Sequence, residues 1–437
     1  MLIITDKTIR IAYLDYDYDG KRDGNIGGEL IYKLCSHRDI QRCDGESINN
    51  YDIVLVSIPS TSQVVDIYKI ARKYNFAARK CKIIVGGFGC QNINLLIPYI
   101  DYACFGRFHD VIDDVIDGVI DGGVADIVQE HMLDVNNLHH VTFRQAPLMT
   151  GPFDEEFTGC PLKCKFCHYT YARKFNGKTN GYVQALLSDG NADEILYQDL
   201  LAITEKKGRI RTAIDGFSER IRYLYGKRIS NQLIIDGINH LGDIAQDKSM
   251  DDFFGGHENN RKTVMTVYNI SNFPYETALD EQELHETIMQ ANPKTRVIFI
   301  LHSTPFRASP ATPMQWERVQ LLPDWSAKRE QMICDRPNLY AKYSYTLEGP
   351  WSQLMAALVE RSKVGDDIVD KALLHGKSLK AIDRMQSFVD ANDVNYYIGE
   401  HNIDKQAPGA WYLSSYLGDD KLRKIAHKMR RQRSEWI

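Results

Sequence analysis

The sequence predicts an α/β protein: two successive series of alternating strands and helices, closed by a helical region. Three observations predict it. Apolar runs of strand length, YDIVLVSIP (51–59) and KCKIIVGG (80–87), read as strands buried on both faces. Between such runs lie segments with apolar residues at helical spacing, QVVDIYKIARKY (63–74) foremost. From about residue 345 the signal turns helical, through WSQLMAALVERS, GDDIVDKALLHG and LKAIDRMQSFVDA. At 437 residues the chain exceeds one ordinary core, which implies two or three domains.

Taken in order, IRIAYLD (9–15) is the first strand, followed by a Gly- and Asp-rich turn and the helix-compatible GGELIYKLCSH. After the two buried strands, DYACFG (101–106) is a shorter strand and HDVIDDVIDGVI a closing helix. This alternation predicts a parallel, doubly wound sheet, so residues 1–145 read as a Rossmann-like domain. Beyond VTFRQAPLMTGP, FDEEF leads into a cysteine-rich loop. YVQALLSD, RIRTAIDG, KTVMTVYNI (262–270) and TRVIFILHS (295–303) follow as strands, with helical segments between them. Residues 146–345 therefore read as a partial (β/α) barrel of the TIM type, with its chemistry at the C-terminal strand ends. Residues 346–437 form the helical region.

Composition narrows the class. The chain is 43% apolar and 25% charged, with no stretch near the roughly 20 apolar residues of a membrane helix. MLIITDKTIRIAYLD enters strand alternation directly, without a leader pattern, so a cytoplasmic protein is expected. The nine cysteines are odd in number and six are scattered (Cys35, Cys43, Cys81, Cys90, Cys104, Cys334), which argues against a secreted disulfide framework. A net charge of -5 gives no global reason for a polyanionic partner. The basic cluster KLRKIAHKMRRQRSEWI reads as a solvated terminal helix, with nucleic-acid contact through this tail as the alternative. HDVIDDVIDGVIDGG reads as a solvated helix face rather than a carboxylate metal site.

The chemistry concentrates in TGCPLKCKFCHYT (158–170), where Cys160, Cys164 and Cys167 follow C-x3-C-x2-C. A closed zinc site needs four ligands, and a second Cys pair is missing. His168, adjacent to Cys167, would have to bend back sharply to share its metal. Three thiolates on one short loop suit a four-iron cluster with one iron left open. The spacing favours iron–sulfur, with zinc as the alternative. Phe166 suits a loop that also covers a planar ligand.

C-x3-C-x-aromatic-C resembles the signature of the radical S-adenosylmethionine (SAM) superfamily. AIDGFSERIRYLYGK (213–227), NISNFPYET (269–277) and HSTPFRASPATPMQW (302–316) resemble, in order, segments that follow the third, fourth and fifth barrel strands in one branch. That branch has an N-terminal cobalamin (B12)-binding-type domain, in which VSIPS (56–60) and IVGGFG (84–89) would line a cofactor-tail cleft. The resemblance covers roughly residues 1–345. It implies a [4Fe-4S] cluster on Cys160, Cys164 and Cys167, with the open iron chelated by the amino and carboxylate groups of SAM. Reductive SAM cleavage would give a 5′-deoxyadenosyl radical that abstracts hydrogen from a substrate, while the protein positions and shields. An electron donor such as flavodoxin or ferredoxin is implied. Phe166 would lie by the adenine and Asp189 would help fix the SAM amino group. Asp215 and Ser218 would lie near the ribose and carboxylate, with Arg220 paired to the carboxylate.

The sequence departs from the branch at LDYDYDGKRDGNIGGEL, which lacks the histidine of D-x-H-x-x-G. Cobalamin would then bind without a protein ligand, or the domain keeps its fold without the cofactor. A second cluster is not expected, since only Cys90 falls where one of its ligands would; it reads as a buried small hydrophobe. The implied activity is radical SAM chemistry (methylation, rearrangement, isomerisation or oxidation) on an unidentified substrate. Alternatives are radical modification of a base or nucleoside in nucleic acid, and, from another class, a non-catalytic cluster- or zinc-binding protein.

Overall fold

A computed structural model describes residues 9–15, 31–59, 62–106, 112–124, 131–138, 141–142, 157–158, 160, 162–177, 209–244, 263–321, 332–343, 350–405, 409 and 413–435. Asp189, the expected strand YVQALLSD and the Gly- and Asp-rich stretch 16–30 lie outside them. The fold is mixed α/β, with two parallel-rich sheets.

The first sheet takes β1 (Ile11–Leu14), β2 (Ile40–Cys43), β3 (Ile53–Ser57), β4 (Lys82–Gly86) and β5 (Tyr102–Cys104) in the parallel order β2-β1-β3-β4-β5. Antiparallel β6 (Met132–Asp134) closes the edge beside β5. Successive strand residues point to opposite faces. Ala12, Leu14, Val54 and Val56 meet Val64, Ile67 and Ala71 of α1 (Ser62–Lys73). Ile11, Tyr13, Ile53 and Leu55 meet Val115, Ile116 and Val119 of α2 (Ile112–Ile120). The exposed side of α2 carries Asp113 and Asp117, which pair with Arg38. This is the doubly wound arrangement.

Two short ladders follow: β7 (Val141–Thr142) with β15 (Leu413–Ser414), and β8 (Phe157–Thr158) with β9 (Asn176–Gly177). The second sheet runs β10 (Arg209–Ala213), β11 (Thr263–Ser271), β12 (Val297–Pro305), β14 (Leu339–Tyr343) and β13 (Met332–Arg336), parallel except for the β13–β14 pair. Between the cysteine loop and β12 lie α3 (His168–Ala172), α4 (Glu219–Leu224), α5 (Asn231–Ile244) and α6 (Ala278–Gln290). Ile234, Ile238, Leu284 and Ile288 of α5 and α6 pack on Met265, Val267, Phe299 and Leu301. One face of this sheet is therefore covered by helices, and the parallel strands β10, β11, β12 and β14 share one C-terminal edge.

The helical region comprises α7 (Pro350–Glu360), α8 (Ile368–Leu374), α9 (Ala381–Ala391), α10 (Asn395–Ile398) and α11 (Asp419–Ser434). Leu354, Leu358, Val369 and Phe388 belong to the same core as Val64 and Ile67 of α1. The last carbonyls of a helix lack intrahelical donors. Those of α7 receive Asn92 Nδ2, at 3.0 Å from Val359 O and 2.9 Å from Glu360 O. Among the described residues no helix is long and apolar enough to cross a membrane.

Asp101 ties β4 to β5 in the first sheet. Buried, it accepts from Ile83 N at 2.9 Å, Arg79 Nη2 at 2.8 Å and Lys82 Nζ at 3.1 Å. Burial opposes its charge, but these donors outweigh it and hold its pKa below the ordinary value. A depressed carboxylate stabilises the fold above its unfolded pKa of about 3.9 and loses that contribution as pH falls through the lower native value. Asp101→Asn is expected to cost roughly 3 kcal/mol at pH 7. It should also flatten the acid limb of the stability–pH curve below about pH 4, read by urea denaturation.

Candidate functional site

The site forms where the cysteine loop meets the chain leaving β10. That chain turns through Asp215, at φ 50°, and Gly216, at φ 148°, with Gly216 N bonded to Asn269 Oδ1 of β11 at 2.6 Å. Ser218 caps α4, accepting from Ile221 N at 3.3 Å. Arg222, wholly buried, staples this turn by donating to Gly216 O, Phe217 O and Ile229 O.

After α4, residues 225–227 run along the cysteine loop. Lys165 N donates to Tyr225 O at 2.8 Å, and Lys165 Nζ to Leu224 O at 2.5 Å. Gly226, at φ 90°, is required here: a Cβ would lie 2.5 Å from Lys163 O. The loop then folds on itself, with Cys167 N donating to Cys164 O at 3.2 Å and Thr170 Oγ1 to Leu162 O at 3.2 Å.

Cys164 is buried, whereas Cys160 and Cys167 are half-buried. Burial raises the Cys164 thiol most, Lys227 acts to lower it, and Asp215, Cys167 and Cys160 add to the rise. Burial likewise raises Cys167, with a further push from Cys160. The three sulfurs are thus electrostatic neighbours. Among the described residues, however, no three His, Cys, Asp or Glu side chains converge closely enough to hold a metal ion. The donor set fits a thiolate-bound centre in kind and in placement on one loop; the thiols do not converge on a common point.

Beside the loop stands an aromatic wall. Phe166 lies 5.4 Å from Phe273, which stacks on Tyr225 at 4.5 Å and meets Phe306 at 5.4 Å. Phe273 lies two residues beyond the C-terminal end of β11, and Phe306 directly follows that of β12. A cavity of about 270 Å³ opens here, lined by Phe166, Cys167 and His168 from the loop and by Thr304, Phe306 and Arg307. Burial, then Arg173, lowers His168 to about 4, so it is neutral at pH 7. Arg307 also lines a second cavity, of about 310 Å³, between α1 and α7.

Among the described residues, the expected SAM contacts Asp215, Ser218 and Arg220 have protein partners. Asp215 pairs with Lys227 Nζ at 2.9 Å. Ser218 donates to Asp280 Oδ1 and Arg220 to Asp280 Oδ2, while Thr277 N donates to the same carboxylate at 2.7 Å. Asp280 lies in the first turn of α6, and the pattern Thr277-x-x-Asp280 is a sequence signal for such a cap. Lys227 had no comparable signal. Burial acts against its ammonium, yet Asp215 and then Cys164 more than compensate, and its pKa is raised.

In the first sheet, the loops expected to line a cobalamin tail cleft bond to each other. Ile58 N donates to Gly86 O at 2.7 Å and Gly89 N to Ile58 O at 2.6 Å. Cys90 behind them is wholly buried, its thiol raised well above the ordinary value by burial. In the basic tail, Arg430 and Arg433 of α11 pair inward with buried Glu317, at 2.7 and 3.0 Å.

No family model and no curated protein matches the chain. Two solved structures of the cobalamin-dependent S-adenosylmethionine radical enzyme OxsB are similar to it, one with aqua-cobalamin and one with aqua-cobalamin and S-adenosylmethionine. They share 11% and 10% identity, with TM-scores of 0.28 and 0.25, over 96% and 98% of this chain and 56% of theirs. The chain thus spans about half the length of those enzymes. Likeness at this level assigns neither family nor activity.

Gly226→Ala is expected to push the cysteine loop off α4. Its measure is the alkylation rate of Cys164 by iodoacetamide, followed by peptide mass spectrometry, which should rise at least about tenfold if opening becomes cheaper by roughly 1.4 kcal/mol.

Proposed function

We propose that this chain is a radical SAM-type enzyme in which Cys160, Cys164 and Cys167 would hold a [4Fe-4S] cluster. The observation that carries the reading is the docking of a three-thiol loop at the C-terminal edge of parallel strands β10–β12, beside a cavity walled by Phe166 and Phe306. When bound, the cluster would supply the electron for reductive cleavage of SAM.

The chain's own residues would do the rest. Phe166, Phe306 and the stacked Phe273–Tyr225 pair keep water from the loop, a requirement wherever a reactive species must meet only its substrate. Phe166 offers a face for the adenine. His168, neutral at pH 7, together with Thr304 and Arg307, presents polar groups to the cavity. Cys164 and Cys167 enter as thiols and must release protons on ligation, so loading couples to loop convergence.

Asp280 already anchors Ser218 and Arg220, so their proposed part is to fix the loop after β10 rather than to reach SAM first. Asp189 keeps its proposed contact to the SAM amino group. Methylation, rearrangement and isomerisation are the reaction classes proposed, and cobalamin has no part in the steps above. The inward pairing of Arg430 and Arg433 gives no support to a nucleic-acid substrate held by the tail.

The test is anaerobic reconstitution with iron and sulfide. The wild-type chain should take up about four irons. It should form 5′-deoxyadenosine with dithionite and SAM, and the triple Cys→Ala variant should do neither. A chain that binds zinc tightly, takes up no cluster and never cleaves SAM would contradict the reading in favour of a non-catalytic metal-binding protein.

A further inference from the structure

Helices α1 and α7 meet through Val64, Ile67, Leu354 and Leu358, which belong to one core. Beside that seam the two helices leave a gap. Side chains three or four positions apart share a helix face, so Ser352, Ala356 and Val359 form one stripe on α7 and Val65 and Lys69 another on α1. Both stripes line the cavity of about 310 Å³, which Arg307 and Trp351 complete. Its most buried lining is apolar, from Met355 and Val359. Trp351 is a fixed wall: the Arg384 guanidinium lies 4.0 Å from its ring centre, and Phe388 meets it in a T-shaped contact at 5.8 Å. Arg384 is itself held by donating to His375 O and Ala372 O. The pocket is thus formed in advance, and a ligand entering it spends little on ordering side chains. Of the charged groups in the lining, Lys69 and Asp66 pair at 3.4 Å with both side chains about half exposed, so they offset each other. Arg307 then sets the sign of the cavity.

We propose that this cavity is a binding site for a small organic monoanion, a flat or branched apolar body carrying one carboxylate or sulfonate. The anion sits on Arg307 and the body lies against Trp351, Met355 and Val359. A mainly apolar, pre-formed pocket of roughly 300 Å³ or more with a few placed polar groups is the general form of a small-molecule site. A guanidinium suits this head group because it can donate two parallel hydrogen bonds to it. The site needs no metal and no SAM, so it stands whether or not the cysteine loop carries a cluster. Arg307 also lines the cavity at that loop, and the experiment must therefore tell the two cavities apart.

The full-length, metal-free chain is titrated with 8-anilinonaphthalene-1-sulfonate and, separately, with N-phenyl-1-naphthylamine, the same body without the charge. Fluorescence reports binding. The wild-type chain should bind the sulfonate saturably and more tightly than the neutral probe. Arg307→Met should lower affinity for the sulfonate at least about tenfold and leave the neutral probe within about threefold. Ala356→Phe fills the second cavity and touches only that one, and it should weaken both probes at least about tenfold. Circular dichroism and thermal melting check the fold. If Ala356→Phe does not fold, Ser352→Phe takes its place, because it starts from an exposed position on the same stripe. Sulfonate affinity unchanged in Arg307→Met overturns the proposal. So does unchanged affinity in the folded Phe variant, which would put the anion in the cavity at the cysteine loop. A wild-type chain that binds neither probe, or binds the neutral one as tightly as the sulfonate, overturns it as well.

Discussion

Gly226 meets the Lys163 carbonyl at a separation that leaves no room for a side chain, and the position of the cysteine loop follows from that contact. With the backbone this close, Lys165 N reaches Tyr225 O, and Cys164 is pressed into the interior. Lys227, one residue further, is buried with Asp215 as its partner. Tyr225, one residue before, stacks on Phe273 and begins the aromatic wall. A β-branched or larger residue at 226 would separate all of these at once.

The remainder of the protein holds that contact in register. Parallel strands present their C-terminal ends on one edge, so the segments after β10, β11 and β12 come together without long excursions. Each segment is pinned by a buried polar group. Asn269 holds Gly216, Asp280 holds Ser218 and Arg220, and Arg361 donates to the carbonyls of Gln315, Tyr397 and Gly399. Arg361 belongs to the segment that follows α7, so the helical region reaches into the chain beyond β12. Buried carbonyls without donors are costly, and one guanidinium satisfies several of them. The first sheet contributes by seating α7 through Asn92 and the core shared with α1.

Much of this was legible in the sequence where burial is symmetric. β3, β4 and β12 announce themselves as apolar runs, and α1 and α9 by their spacing. β2 was not legible, because its central Gln41 and Arg42 are exposed on an edge strand and break the apolar run. The β13–β14 hairpin was missed for a similar reason: its strands mix Asp, Arg and Lys with apolar residues. The sequence boundary at 345 marks a change of secondary structure, yet the core runs across it from α1 to α7. In the site, the three cysteines carry their own spacing signal. The partners of Asp215, Ser218 and Arg220 do not, since Asp280 is about 60 residues away and only the fold brings a lysine at 227 back to an aspartate at 215. Local rules name the groups that need a partner, and tertiary structure decides which partner they find.

The central proposal is that the three-thiol loop, held by Gly226, would carry a cluster with a coordination position left for SAM. Electron paramagnetic resonance of the reduced, reconstituted chain tests it most directly. The account predicts a reduced-cluster signal whose g-values shift when SAM is added, and a signal lost in the Cys164→Ala variant. A spectrum unchanged by SAM, or a chain with no cluster signal after reconstitution, would contradict it.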